Sequence, residues 1–242
     1  MKNTFKLTAL PLLLLIATGC GIYNPACVDI PLVREKGELQ LEGAVLPLDY
    51  DEILPRVSMA YGITDRLAAA VSLDPYRGYS QAMAGAYFPV GEKFVWEVYG
   101  GGGIGAGRVR NYSHGYYTSG KYGLTFVQID GGWRNLTRFL NLDIAFSLKT
   151  GWLRSHLDIC DGWSYYQDSL GVEHSYLAYH NATDNSLLVE PTVEVRFGWP
   201  NFKFNMKMGY CYHFGNEYSR MYGDIGIGFG MSYRFRTNKK TK

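Results

Sequence analysis

The segments Phe202-Lys203-Phe204-Asn205-Met206-Lys207-Met208-Gly209-Tyr210 and Ile225-Gly226-Ile227-Gly228-Phe229-Gly230-Met231-Ser232-Tyr233-Arg234-Phe235 decide the fold. In each, every second residue is apolar or aromatic, and the first run continues the pattern through Tyr212 and Phe214. The residues between are lysine, asparagine, glycine, serine or arginine. Strand side chains alternate between faces, so each run has one oily face and one small or charged face. A soluble sandwich would turn the oily face inward. Here that face is long and aromatic at its ends, as in a strand that meets lipid. The expectation is an all-β chain forming an antiparallel up-and-down transmembrane β-barrel.

The same alternation recurs upstream. Leu39, Leu41 and Val45 oppose Glu38, Gln40 and Glu42; Val57, Met59 and Tyr61 oppose Arg56, Ser58 and Ala60. Leu67, Ala69, Val71 and Leu73 oppose Ala68, Ala70 and Ser72, while the alanine-rich run Gln81 to Phe88 leaves its facing open. Further on, Phe94, Trp96 and Val98 oppose Glu97 and Tyr99; Val127, Ile129 and Trp133 oppose Gln128, Asp130 and Arg134. Leu140 to Leu148 oppose Asp143 and Lys149, and Val189 to Trp199 oppose Glu190, Glu194 and Arg196. About ten strands result, an even number as bacterial barrels use. Connections around 64–66, 89–93, 135–137 and 200–201 read as short turns. Those at 46–54, 74–79, 111–120, 152–186 and 215–222 read as longer loops, the asymmetry of periplasmic turns against extracellular loops. Phe94, Trp96, Trp133, Phe139, Phe197, Trp199, Phe202, Phe204, Tyr233 and Phe235 gather beside the short turns, as a headgroup-level girdle does.

Composition agrees. The 242 residues include 20 Tyr and 29 Gly, with 15% aromatic and only 19% charged residues, a mix suited to strands and turns. No internal apolar run reaches the roughly 20 residues that a spanning helix needs. Met1 to Gly19 reads as an export signal: Lys2 and Lys6, an apolar core from Leu7 to Ile16, then small residues before Cys20. Ala17-Thr18-Gly19-Cys20 resembles the bacterial lipobox, which makes Cys20 the expected lipidation (palmitate-type acylation) site. Loss of Lys2 and Lys6 takes the formal charge from +2 to 0, so no bias toward nucleic acid remains. The chain therefore divides into residues 1–19 (signal), 20–36 (lipidated N-terminus and linker), 37–235 (barrel) and 236–242 (basic periplasmic tail).

Two resemblances add to this. Gly230, Tyr233 and Phe235 in the last strand resemble the C-terminal signal read by the barrel-insertion machinery, which implies that machinery as a partner. Ile30-Pro31-Leu32-Val33-Arg34-Glu35-Lys36-Gly37-Glu38-Leu39-Gln40 resembles the opening of small lipoprotein β-barrels of Bacteroidetes-type bacteria, where it follows the lipid-anchored Cys. Ala60 to Asp65 and Glu97 to Gly101 resemble further landmarks of that family. The family has no agreed activity, so the resemblance implies fold and an outer-membrane location, not chemistry. Gly21-Ile22-Tyr23-Asn24 lacks the acidic run that resembles a surface-export signal, which implies a lipid in the periplasmic leaflet.

The inward face is expected to carry acids (Glu38, Glu42, Glu97, Asp130, Asp143, Glu190, Glu194) and bases (Arg56, Arg134, Lys149, Arg196, Lys203, Lys207, Arg234) as an ion-pair network filling a narrow lumen. A small channel is the functional alternative. Ser, His and Asp all occur within Trp152 to Ser186, with His114 and His213 also near the outer rim. A hydrolase or acyltransferase is therefore conceivable, but no spacing singles out catalytic residues. His156-x-x-x-Cys160 with Asp158 or Asp161 is a loose pair, and no metal site or cofactor is predicted. Cys160 with Cys211 is the disulfide the topology would favour. Trp163, Tyr165, Tyr166, Tyr176 and Tyr179 in the longest loop are candidates for contact with an extracellular ligand. The reading is a lipid-anchored outer-membrane barrel with a structural or surface-interaction role; a lipid-tethered soluble periplasmic barrel is the remaining alternative.

Overall fold

The structure is a computed structural model that describes residue 23 and residues 28–47, 53–75, 78–111, 116–137, 139–215 and 225–237. Among them eleven strands form one sheet: β1 (Glu38–Pro47), β2 (Ile53–Gly62), β3 (Leu67–Asp74), β4 (Tyr79–Val90), β5 (Phe94–Asn111), β6 (Tyr116–Trp133), β7 (Asp143–Gln167), β8 (Glu173–Gly198), β9 (Phe202–Tyr210), β10 (Tyr212–Phe214) and β11 (Ile225–Arg236). Each pairs antiparallel with its neighbours in order from β1 to β8. β9 and β10 are one strand interrupted at Cys211, and both pair with β8. β9 then pairs with β11, and β11 pairs with β1, so ten strands close into a barrel. Closure pairs the edges of the ring, while among the described residues β5 beyond Ile104 and β8 before Leu187 have a partner strand on one side only.

Facing follows the alternation in the sequence. Phe204, Met206 and Phe229 are exposed on the outside, whereas Lys203, Lys207 and Arg234 are buried within. In the last hairpin Met206 stands opposite Phe229 and Lys207 opposite Gly228, so a large inward residue meets a small one. The alanine-rich fourth run turns Tyr79, Gln81, Met83 and Tyr87 inward and Phe88 outward. Aromatics beside the short turns make ring contacts: Phe94 to Trp133 at 4.7 Å, Trp96 to Phe146 at 5.3 Å and Phe202 to Phe204 at 5.4 Å.

Three expectations change. Much of 111–120 and 152–186 is strand, not loop: β5 and β6 stay paired as far as Asn111 and Tyr116, and β7 and β8 as far as Gln167 and Glu173. Beyond Trp152 and Leu187 the outward residues of the hairpin become polar. Alternation then inverts, with Leu153, Leu157 and Ile159 buried inside, while the hydrogen-bond ladder continues. The asymmetry between the two rims thus lies in strand length. The short turn at 135–137 is in fact a connection from 134 to 142, with Asn135 and Asn141 at φ 51° and 44°. Leu136 N–H donates to Leu142 C=O at 2.7 Å, which puts Leu140 and Leu142 in the turn. Finally, Cys160 and Cys211 are both buried and are not joined to each other.

The largest departure concerns residues 28–36, expected as a linker outside the barrel. Val28, Ile30, Leu32 and Val33 are fully buried inside it. The segment enters at the short-turn rim. There Gly37 N–H donates to Gly62 C=O at 2.8 Å, and a Cβ on Gly62 would lie 2.3 Å from the Glu35 carbonyl oxygen. A side chain at position 62 therefore collides with the entering backbone. Gly62→Val is expected to lower unfolding stability by about 1–3 kcal/mol. Gly43→Val, where a Cβ meets nothing within 4 Å, is expected to cost far less. Urea unfolding in lipid vesicles checks the difference, and equal midpoints would refute the close approach.

Candidate functional site

The barrel interior is where the buried charges converge, and it is built from two sources. The strands supply the expected network. Arg134 and Arg234 reach Glu38 at 2.7 and 3.0 Å, and Arg196 pairs with Glu194 at 2.7 Å and Glu42 at 3.7 Å. Lys203 pairs with Asp143, which Arg234 also approaches at 3.7 Å; Lys207 pairs with Glu42, and Lys149 with Glu190 at 3.6 Å. Arg56 lies 4.9 Å from the Tyr79 ring centre. Asp130 is instead served by the Gln128 amide at 2.9 and 3.0 Å.

The second source is the N-terminal segment, which completes what the strands leave open. Glu97 accepts the backbone N–H groups of Leu32 and Val33 at 2.8 and 2.6 Å, and the Tyr99 hydroxyl at 3.0 Å. Each such bond to a buried carboxylate is worth about 1.5–3 kcal/mol. Arg134 donates to Leu32 C=O at 3.2 Å, Gln128 to Asp29 C=O at 2.8 Å, and Arg196 to Ile30 C=O. Asp29 itself sits between Lys207, at 3.1 Å, and Ser72. Leu32 holds a left-handed φ of 54°, a conformation a non-glycine residue keeps only when its surroundings enforce it. Its two ordered peptide groups are that enforcement.

The segment runs from rim to rim. At one end Arg34 donates to Gly91 C=O, in the turn between β4 and β5, at 2.7 Å. At the other, Tyr23 is buried with its hydroxyl on Glu190 at 2.7 Å and Lys149 donating to it at 3.3 Å. The Tyr23 ring meets Tyr122 edge-on at 5.4 Å and His213 at 6.4 Å. Tyr122 packs on Tyr79, the first residue of β4, and His213 belongs to β10, the last described piece of its strand. Tyr23 is therefore beside the rim from which the long hairpins project. Asp29 and Tyr23 are the site residues that sequence reasoning missed. Four buried apolar residues between positions 28 and 33 were the available signal, since a solvated linker has no use for them.

Above the lumen, β7 and β8 carry the aromatic candidates. Trp163, Tyr165, Tyr166, Tyr176 and Tyr179 are all more than half exposed. Register places Trp163 opposite Leu177 and Tyr165 opposite Ser175, with Tyr166 opposite His174. Tyr166 stacks on His174 at 5.1 Å and meets Tyr176 at 6.0 Å. The tip is fastened by Asp168, which accepts Leu170 and Val172 N–H at 2.9 Å and contacts His174 at 2.9 Å. The His174 bond holds the Asp168 carboxyl below its ordinary range. The aromatics are thus on two faces of a paired hairpin and do not fold over the mouth as one cluster.

Histidine chemistry does not assemble. His156 and Cys160 are four residues apart on an extended strand, about 13 Å of chain, and His156 contacts Thr183 at 3.2 Å. Among the described residues no three His, Cys, Asp or Glu side chains could share a metal ion. Cys20, Asp161 and His114 lie outside the residues or side chains described.

No family model matches the chain, and no curated protein matches it. Among solved structures it is similar to the N-terminal β-barrel domain of Pseudomonas aeruginosa OprF, at 12% identity over 83% of this chain and 98% of that one, with TM-score 0.35. It is also similar to Ail, the attachment invasion locus protein of Yersinia pestis, at 12% identity over 82% and 96%, with TM-score 0.27. A bacterial polysaccharide outer membrane secretin matches at 8% identity over 85% and 100%, with TM-score 0.28.

An occupied lumen predicts electrical silence. Planar bilayers containing the full chain are expected to show no conductance steps, whereas deletion of residues 23–34 is expected to open a charged pore. A deletion variant that folds, judged by heat-modifiable gel migration, yet stays silent would show that strand side chains alone block the lumen.

Proposed function

We propose that the protein is an integral outer-membrane barrel, closed along its axis by its own N-terminal segment, that acts through contacts made by the β7–β8 hairpin. One observation carries the role. β7 passes the last apolar outward residue, Trp152, and remains paired with β8 to Gln167, about 50 Å of strand by residue count. That extension carries exposed tyrosine and tryptophan on both faces. Such side chains supply large contact area at low entropic cost. The membrane part of the reading is supported by the exterior. From Ile144 to Trp152 the outward residues of β7 are Ile144, Phe146, Leu148, Thr150 and Trp152, a nine-residue span that suits a tilted transmembrane strand. Filling of the lumen by residues 28–34 favours this reading over a small channel.

Lipidation of Cys20 belongs to the same proposal, though its leaflet changes. Three residues, at most about 11 Å of chain, separate Cys20 from Tyr23, which is buried near the hairpin-side rim. This supports attachment on the hairpin side rather than in the periplasmic leaflet.

Two experiments test these points. Joining Asp158 to Asn181 by an Asn-Gly turn removes the projecting aromatics. Proteoliposomes carrying that variant are expected to lose binding to a printed array of glycans and extracellular proteins that the parent retains. Equal binding by parent and trimmed barrel, or none by either, would exclude the hairpin as the working part. For the leaflet, Gly21→Cys is expected to react with a membrane-impermeant maleimide added to intact cells. Labelling only after the outer membrane is ruptured would restore the periplasmic assignment.

A further inference from the structure

The outward faces of β5 to β8 change character along one row. Ile104, Gly123, Arg154 and Asn185 stand side by side across the four strands, and the next row is Ala106, Lys121, His156 and Thr183. Below the first row lie Trp152 and Leu187, both exposed; above it the face is polar. Arg154 and Lys121 therefore sit where the apolar band ends on the side of the long hairpins. Neither makes an ion pair with a described residue, although both are exposed. The nearest acid on this face of β7, Asp158, is four residues beyond Arg154 and one row beyond Lys121.

Between them the wall is recessed. Gly123 carries no side chain, and a Cβ there would meet nothing within 4 Å. The groove there, about 710 Å³ and open to solvent, borders Lys121, Arg154 and His156 on the outer face and continues past Gly78, Gly105 and Tyr122 at the end of β4. Lys121 and His156 are directly paired across the strands, with Arg154 on the diagonal, within reach of long side chains, while the His156 ring also contacts Thr183 at 3.2 Å. An arginine fork and a lysine ammonium beside a recess are the donors that a phosphate selects. A cation at the edge of hydrocarbon needs such a partner, because leaving it unpaired there is costly.

We infer that Lys121, Arg154 and His156 form a binding site for the phosphate-bearing headgroup of an outer-leaflet lipid, whose acyl chains lie along Trp152 and Leu187. The inference rests on the membrane reading above. A lipid held there would fix the barrel's rotation and depth just beneath the projecting hairpin.

The test uses the full-length protein in dodecylmaltoside micelles, with diphosphoryl lipid A, its dephosphorylated form and inorganic phosphate as probes, read by native mass spectrometry. The parent is expected to prefer the diphosphorylated lipid at least tenfold, with inorganic phosphate competing only weakly. Lys121→Gln with Arg154→Gln is expected to weaken that lipid roughly twenty-five-fold, about fivefold for each charge removed. Gly123→Trp, which fills the recess and leaves both charges, is expected to weaken it as well. Arg66→Gln with Lys93→Gln, at the opposite rim, should change nothing. Equal binding of both lipid forms, or full retention by the double variant, overturns the site. Inorganic phosphate binding as tightly as the lipid overturns the lipid as its source. Carbonate extraction of membranes, run beside the titration, separates the two readings: protein that is retained but unselective sinks this site alone, and protein that is released sinks the membrane assignment.

Discussion

Glu97 accepting the amides of Leu32 and Val33 is the contact on which the interior depends. On its own, a buried carboxylate on β5 faces Asp130 directly across the β5–β6 ladder, and two such groups repel. No cation within 4 Å neutralises Glu97 among the described residues. Two peptide N–H groups do the work instead, and they can arrive only on a chain that runs through the lumen. The barrel and its N-terminal segment are therefore one folding unit: the strands provide the cavity, and the segment provides the donors that make it tolerable. Positive φ at Leu32 is a local cost that this arrangement outweighs.

The remaining charges follow the same logic with less individual consequence. Buried ion pairs are often no more stabilising than a well-packed apolar core, because desolvation offsets much of the attraction. Here the alternative is closed off by topology. An apolar lumen in a barrel with an apolar exterior leaves nothing to tell the two faces apart, and a one-residue slip would exchange them. Arg196 bonded to Glu194 along its own strand, to Glu42 across the lumen and to the Ile30 carbonyl can be satisfied in one register only. The network is better read as specifying register and inside-from-outside than as a store of stability.

Alternation made the strands and their facing readable from residues alone, since period-two patterning survives wherever one face is oily and the other is not. It failed where the pattern changes phase. Beyond Trp152 the alternation of β7 inverts, with Leu153, Leu157 and Ile159 buried inside and Arg154, His156 and Asp158 outside, so the stretch no longer matches an oily-outside strand although it is paired as strictly as Leu148. The turn after Trp133 was misjudged for another reason: Asn135 and Asn141 adopt left-handed backbone, and Leu140 and Leu142 continue an alternation that the chain does not follow. The segment 28–36 was the hardest to read. Its side chains have no periodic partner in sequence, and its donors are backbone groups, which sequence does not distinguish. Only the excess of apolar residues around Pro31 hinted at burial. The spacing of His156 and Cys160 shows the same dependence on context, because a spacing of four means proximity on a helix and separation on a strand.

The path of the segment also constrains how the fold can form. Residues 28–34 precede every strand, yet they end enclosed by strands that come much later, including β8 and β9 through Arg196 and Lys207. A closed ring of hydrogen-bonded strands cannot admit the chain sideways, so the segment must be in place before β11 meets β1. Closure brings the Glu38 to Arg234 pair together at the rim where the segment enters, beside the 2.8 Å bond from Gly37 to Gly62. The charges that hold the entering chain are thus carried partly by the last strand to arrive. The seam and the enclosed segment become stable in one step, and neither has a full set of partners without the other.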